Sequence, residues 1–101
     1  MGKVVWLQHE FEVVEMSSRW QDVPGVYIFA GVNQNNRWQA LYVGQASSFA
    51  QRMPGHERWA EAVRAGATKV HALVVRQQAD RDRMEQALIR ACNPRLNTHY
   101  A

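Results

Sequence analysis

The sequence predicts an α/β protein of the α+β type, with helices flanking a small antiparallel sheet of three central strands. Three short runs rich in β-branched and aromatic residues, at 25–31, 38–44 and 69–76, are typical of strands. Only a polar turn separates the first two runs, so they form a hairpin. The 101 residues are enough for one core and one domain, 1–101.

An N-terminal extension, residues 1–23, precedes the core region at about 24–98. Its partial alternation predicts a short strand at 3–8 and another through Phe11 and Val13. The extension could therefore add strands to the sheet, form a lid, or make a dimer contact.

Two helices are predicted between the hairpin and the third strand. The first spans 46–53, with Ser47 or Ser48 as its cap and a stop at Pro54-Gly55. The second spans 57–65 and stops at Gly66, and the residues expected on its buried face are Trp59, Ala62 and Val63.

The third strand and a last helix complete the predicted core. Val70, Ala72 and Val74 alternate onto one face of the strand. Asp80 is expected to cap the helix, Asn93-Pro94 to end it, and its apolar stripe to consist of Met84, Ala87, Leu88 and Ala91.

Composition narrows the function classes. The chain has one cysteine, Cys92, and no run long enough to be a membrane span or a signal peptide, which predicts a cytoplasmic protein without a membrane partner. Cys92 is expected to pack a helix. Residues 25–101 carry ten basic and five acidic side chains, whereas residues 1–24 carry two and four. A basic core region favours a polyanion partner such as nucleic acid.

Two tripeptides stand out within the predicted hairpin. Gly25-Val26-Tyr27 and Tyr42-Val43-Gly44 each place a tyrosine near a glycine, and Arg52 follows eight residues after Gly44. Paired strands can bring two phenols together, and an arginine beside them would hold an anion.

With these residues the chain resembles the GIY-YIG nuclease family over about residues 24–98. Gly25 to Tyr27 matches the first family element and Tyr42 to Gly44 the second, with valine in place of isoleucine in both. Further matches are the arginine Arg52, the metal-binding glutamate Glu85, the terminal asparagine Asn97, and His56, which corresponds to a histidine of some branches. Two features depart from the family: the hairpin is a few residues longer, and residues before Pro24 have no counterpart.

The resemblance implies hydrolysis of DNA phosphodiesters with one divalent metal ion, Mg²⁺ or Mn²⁺, held by Glu85. Tyr27 would take a proton from the attacking water and Tyr42 would position water. Arg52 would hold the scissile phosphate and His56 would be an auxiliary base or relay. Gly25, Gly44 and Asn97 would support the site. These roles suit the residue types, since Mg²⁺ needs few carboxylates and the arginine fork fits phosphate.

Other side chains are candidates for nucleic-acid contacts: Arg37, Trp38, Arg58 and Arg95. Trp6, Trp20 and Trp59 are expected in the core instead. Taken singly, each site residue also has an ordinary structural explanation; together, in this order, they favour the nuclease.

The predicted function is therefore a metal-dependent DNA endonuclease, selective for DNA structure because no recognition helix or zinc module is visible. RNA is left open as a substrate. Two alternatives remain: a nucleic-acid-binding module with weak or no hydrolysis, and a nuclease subunit that needs a protein partner or forms a homodimer.

Overall fold

The computed structural model describes residues 2–100, and for residues 98–100 only the backbone. Within this range the chain forms five strands, three α-helices and one 3₁₀ helix. The strands are β1 (Lys3–Trp6), β2 (His9–Val14), β3 (Gly25–Val32), β4 (Trp38–Ala46) and β5 (Lys69–Val74). The helices are α1 (Phe49–Arg52), α2 (Trp59–Arg64), α3 (Gln78–Cys92) and the 3₁₀ helix Arg95–Tyr100.

All five strands join one antiparallel sheet in the order β1-β2-β5-β3-β4. The prediction of a three-stranded sheet is wrong, because the N-terminal hairpin β1-β2 continues it. Strand β2 pairs with β5 through Glu12 opposite Ala72 and Val14 opposite Val70. This pairing covers the backbone edge that β5 would otherwise expose to water. Of the roles left open for the extension, the structure shows added strands.

The two faces of the sheet carry separate cores. On one face Tyr27 and Phe29 of β3 pack with residues of α1 and α2. On the other face Val26 and Ile28 pack with Leu88 of α3. The alternation of side chains along β3 thus directs its aromatic residues toward the short helices and its aliphatic residues toward the long one.

Several predicted details change in the structure. Helix α1 is shorter than expected because Ala46 still belongs to β4, and Ser48 is its N-cap. Val63 and Val74 are exposed, since each lies near the end of its element. Asp80 does not cap α3, which begins after Gln77 and has no side-chain cap. In the stripe of α3, Leu88 is buried while Ala91 is exposed.

Other packing predictions are confirmed. Trp20 and Trp59 pack against the first core, and Trp6 and Cys92 against the second. Burial raises the pKa of the Cys92 thiol, as expected of a packing residue. Among residues 2–100, no helix combines the length and apolar character that crossing a membrane requires.

Candidate active site

Tyr27 lies at the centre of the candidate site, on the middle strand β3. In the register of β3 and β4 it is directly opposite Gly44. A Cβ atom at residue 44 would be only 2.5 Å from the Tyr27 hydroxyl oxygen, so the phenol lies over the glycine backbone. Gly44 therefore leaves the space into which the phenol extends toward the edge strand.

Tyr42 shares this face of the sheet. It pairs with Phe29, which lies two residues beyond Tyr27 on the same face of β3. The centroids of the two tyrosine rings are 6.3 Å apart. A shift of register between Phe29 and Ala30 separates this region from the hairpin tip. The longer hairpin is therefore accommodated beyond the tyrosines, and both phenols belong to one aromatic cluster.

His56 reaches the cluster after a turn. Gly55 has a positive φ of 72°, and the His56 backbone N–H donates to the Met53 carbonyl at 3.1 Å. The imidazole is buried, and its Nε2 lies 2.7 Å from the Tyr27 hydroxyl oxygen. Burial, reinforced by the charge of Arg52, lowers the pKa of His56 to about 4. The imidazole is therefore neutral at physiological pH.

Arg52 is the last residue of α1, which Ser48 starts by accepting a hydrogen bond from the Gln51 N–H. Its guanidinium is held by Glu57 through two hydrogen bonds, Nη1 to Oε1 at 3.0 Å and Nη2 to Oε2 at 2.8 Å. The same contact lowers the pKa of Glu57 to about 2 and raises that of Arg52. The Glu57 carboxylate thus occupies the guanidinium group that, by the family resemblance, would bind phosphate.

The charges around Tyr27 oppose one another. Burial raises the pKa of its phenol well above the ordinary value, and Tyr42 and Glu85 raise it further, while Arg52 lowers it. The charges of Arg52 and Glu85 therefore both act on the Tyr27 phenol, in opposite directions. In the free protein Tyr27 is a neutral phenol at physiological pH.

Glu85 lies on α3 and is only partly exposed. The Gln45 side-chain Nε2 donates to Glu85 at 2.9 Å and to Asp82 at 2.8 Å, so two carboxylates one helical turn apart meet at one amide. The carboxylate oxygens of Glu85 and Asp82 are hard donors, which suit Mg²⁺ or Mn²⁺. Among the described residues no group of three or more potential ligands occurs. Glu85 and Asp82 together fit an ion held by one or two carboxylates, which water and substrate would complete.

A groove connects the two sides of the site. It has a volume of about 390 Å³, lies at the end of β4, and is lined by residues 45–48 together with Gln51 and Arg52. Gln45, which holds Glu85, therefore lies in the same groove as Arg52. Glu85 itself lines a separate pocket together with Gln86, Ile89 and Arg90, so the Gln45 amide is the link between the two sides.

Asn97 and Gly25 support this arrangement. The buried Asn97 side chain accepts from the Val43 N–H at 2.9 Å and donates from Nδ2 to the Val43 carbonyl at 3.0 Å. It thereby pairs with the outer edge of β4 between Tyr42 and Gly44. A Cβ atom at Gly25 would be 2.2 Å from the Leu73 carbonyl oxygen, so this glycine permits close packing of β3.

The four predicted nucleic-acid contacts occupy different places. The Arg58 guanidinium carbon lies 5.7 Å from the centroid of the Tyr42 ring, at the rim of the site. Arg95 begins the 3₁₀ helix and is exposed, and Arg37 is exposed at the hairpin tip. Trp38 packs edge-on against His71 on the opposite face of the sheet, with ring centroids 4.5 Å apart.

Sequence reasoning missed Glu57, Gln45 and Asp82. Glu57 follows the candidate His56 directly, but nothing in the pattern indicates that the chain turns back there to meet Arg52. Gln45 directly follows the Tyr42-Val43-Gly44 element. Because side chains alternate along a strand, the Gln45 side chain is expected on the face of β4 opposite Tyr42, where α3 packs, and this alternation was the one available signal.

Comparisons with solved structures show proteins of similar fold. The GIY-YIG N-terminal endonuclease domain of UvrC from Thermotoga maritima, bound to its catalytic magnesium, is 23% identical, with a TM-score of 0.62 over 77% of this chain and 86% of that chain. A tyrosine-to-phenylalanine variant of that domain is 24% identical, with a TM-score of 0.60 over 77% and 86%. An asparagine-to-alanine variant is 22% identical, with a TM-score of 0.61 over 75% and 83%.

No protein-family model matches the sequence, and no curated protein matches it either. The chain has the GIY-YIG fold, and the resemblance inferred from its motifs is confirmed at that level.

Proposed function

We propose that this protein is a metal-dependent endonuclease that hydrolyses DNA phosphodiester bonds. The observation that carries the proposal is the grouping of Tyr27, His56 and Arg52 at the end of β4, where one groove joins Arg52 to the amide holding Glu85. Hydrolysis of a phosphodiester needs an activated water, a holder for the phosphoryl oxygens, and neutralisation of developing charge.

Tyr27 is the proposed acceptor of the water proton. Its hydroxyl lies over Gly44, and because the side chain is only 1% exposed, the attacking water must enter the site to reach it. The phenol must lose its own proton to solvent first, and Arg52 favours that loss by lowering its pKa. Tyr42, whose ring stacks at an angle on Phe29, would position the water from the same face.

Arg52 is the proposed phosphate-binding group. Its partner Glu57 is exposed, so a phosphate can approach the same guanidinium from solvent. A DNA phosphodiester presents one negative charge and two non-bridging oxygens, as a carboxylate does, and the planar guanidinium group fits both. Binding of DNA would therefore weaken or replace the Glu57 contact.

Glu85 is the proposed holder of one Mg²⁺ or Mn²⁺ ion, with Asp82 one turn away. Bound there, such an ion would stabilise negative charge on the phosphoryl and leaving oxygens. Asn97 keeps the Tyr42-to-Gly44 segment of β4 in place from outside the site.

DNA is the proposed substrate because the core region is basic, with Arg52, Arg58 and Arg95 among its cations, and the UvrC domain of similar fold is an endonuclease domain. Selectivity for DNA structure, with RNA left open, follows from the absence of a predicted recognition helix. The cytoplasmic location inferred from the lone cysteine stays a prediction.

A cleavage panel tests the proposal. Duplex, nicked, flapped, branched and single-stranded DNA, with a matched RNA, would be incubated with Mg²⁺, Mn²⁺ or EDTA. We expect metal-dependent products, most from a branched or flapped substrate. Arg52→Lys should lose about a hundredfold in rate, since it keeps the charge but loses the fork. Arg64→Lys, on the exposed end of α2, is the matched control.

A nucleic-acid-binding module is the second candidate. The observation in its favour is the raised pKa of Tyr27, which leaves little phenolate in the free protein. Binding that is steeply salt-dependent and needs no metal, without products at high protein concentration, would favour this candidate over the nuclease.

A homodimer or partner-dependent subunit is the third candidate, and the edge strand β1 favours it. Val5 on this strand is 62% exposed. Because β1 and β2 belong to the sheet, deleting the extension would damage the fold. Val5→Lys is the milder test, and light scattering should show a lower mass only if the edge joins two copies.

A further inference from the structure

The two ring nitrogens of His56 have different partners. Nδ1 lies 3.0 Å from the backbone nitrogen of Arg58, and Nε2 lies 2.7 Å from the hydroxyl oxygen of Tyr27. A backbone N–H can only donate, so the Arg58 N–H donates to Nδ1. Nδ1 must therefore present a lone pair and carries no hydrogen.

A neutral imidazole carries one hydrogen, and with Nδ1 excluded it resides on Nε2. Protonating both nitrogens would place two hydrogens against each other at the Arg58 amide. The buried setting also disfavours the charged ring, as do the nearby guanidinium groups of Arg52 and Arg58, while Glu57 opposes them.

The ring cannot turn over easily to exchange its nitrogens. It packs edge-on against three aromatic rings, with centroid distances of 4.8 Å to Phe29, 5.5 Å to Tyr27 and 5.7 Å to Tyr42. Turning it by half a revolution would replace both hydrogen-bonding nitrogens with carbon. Packing and hydrogen bonding thus select the same orientation.

We infer that His56 is a fixed hydrogen-bond donor to the Tyr27 oxygen, set in this tautomer by the Arg58 backbone amide, and is not the base that accepts the Tyr27 proton. The catalytic consequence rests on the proposed nuclease function, whereas the tautomer does not. This assignment differs from the role of auxiliary base or relay that the family resemblance implies for His56.

The assignment determines where the protons go. Because Nε2 supplies the hydrogen of the contact, the Tyr27 proton points elsewhere and leaves to solvent. The phenolate then accepts a proton from water, the resulting hydroxide forms the new bond to phosphorus, and the P–O ester bond breaks. The leaving oxygen takes the electron pair of that bond and is protonated by solvent water. Nε2–H stays on His56 throughout and stabilises the phenolate, as hydrogen bonds to charged groups are the stronger ones.

Nuclear magnetic resonance tests the tautomer without any substrate. Long-range ¹H–¹⁵N correlation spectra of the full-length protein at pH 7 should show a protonated Nε2 and a bare Nδ1 for His56, assigned by their loss in His56→Gln. Tyr27→Phe should shift the Nε2 signal and leave that of Nδ1 nearly unchanged. A hydrogen on Nδ1, or on both nitrogens, would overturn the inference whether or not the protein cleaves DNA.

Single-turnover cleavage tests the consequence. Gln at residue 56 keeps an N–H donor at similar reach, whereas Leu keeps only volume. We expect His56→Gln to stay within about tenfold of the wild type and His56→Leu to fall by about a hundredfold. Equal losses in the two variants would instead indicate that His56 acts as a base. In that case the fall in cleavage rate at acidic pH would be seen in the wild type and be absent from both variants. Failure of all three proteins to cleave would count against the nuclease, while the spectra would still decide the tautomer.

Discussion

Gly44 faces Tyr27 across the β3–β4 pair, and the missing side chain at residue 44 is what leaves room for the tyrosine hydroxyl. The register of this strand pair thus brings two separate tripeptides into one site. The first tripeptide supplies a phenol, and the second supplies the gap that receives it.

Gly44→Ala should therefore displace Tyr27. The added methyl group would lie 2.5 Å from the hydroxyl oxygen, and we expect a loss of stability of about 1–3 kcal/mol, measured by thermal denaturation. Tyr27→Phe should recover only a small part of that loss in the double variant, because it removes the hydroxyl oxygen but keeps Cζ at 2.6 Å from the added methyl group. Gly2→Ala, with no atom within 4 Å, is the control. An unchanged stability for Gly44→Ala would contradict this packing.

Glu57→Gln should strengthen DNA binding. The substitution removes the negative charge that holds Arg52 through two hydrogen bonds, so phosphate would meet less competition. We expect the Kd to fall about two- to fivefold at low salt, measured by fluorescence anisotropy without metal. Glu61→Gln, which frees Arg58 instead, is the matched comparison. Weaker binding by Glu57→Gln would show that Glu57 orients Arg52 for phosphate and does not compete with it.

Asn97→Ala should destabilise the edge strand. It would leave the Val43 N–H and carbonyl without the two contacts that the amide provides, a loss of about 2–3 kcal/mol in the free energy of unfolding. Asn97→Asp keeps the acceptor for the N–H but faces the carbonyl with an oxygen, so it should be unstable as well. Urea denaturation measures both, and a wild-type midpoint for Asn97→Asp would contradict the two-bond arrangement.

Stability should fall on mild acidification. His71 is buried, its Nδ1 accepts the Trp6 N–H at 2.9 Å, and burial lowers its pKa to about 4. Its contribution is present above the unfolded-state pKa of about 6.5 and is lost as the pH falls toward 4, since the unfolded chain binds the proton more tightly. Between pH 7 and 5 the loss should be about 2 kcal/mol.

Urea denaturation at several pH values measures this dependence. His71→Gln should be less stable at pH 7 but show a flatter response to pH, and the exposed His9 replaced in the same way is the control. His56, whose pKa is lowered by burial in the same direction, should retain its own share of the slope. A slope unchanged by His71→Gln would contradict the assignment.

The sequence predicted the hairpin well because its information is local. Alternating aromatic and aliphatic residues define β3 and β4, and the tyrosine-glycine elements define their functional end. Pairing of β2 with β5 depends on contacts between residues almost sixty positions apart, and no short-range pattern specifies it. The sequence predicted β1 and β2 as strands, but their place in the sheet had to come from the structure.

The candidate site shows the same division. Tyr27, Arg52 and Glu85 could be named from residue type and order, but their neighbours could not. Glu57 reaches Arg52 because Gly55 turns the chain, and Gln45 reaches Glu85 because α3 crosses that face of the sheet. These partners become neighbours only when the chain folds, so the order of residues in the sequence does not reveal them.

Hydrolysis at the site that Glu85 completes is tested most directly by the single-turnover cleavage rate of Glu85→Gln on the preferred DNA substrate with Mn²⁺. Glu10→Gln, an exposed carboxylate near the other edge of the sheet, serves as the matched control. We predict a loss of at least about a hundredfold for Glu85→Gln, with the fold and the metal-free affinity for DNA retained. Cleavage by Glu85→Gln at the rate of Glu10→Gln would contradict the account.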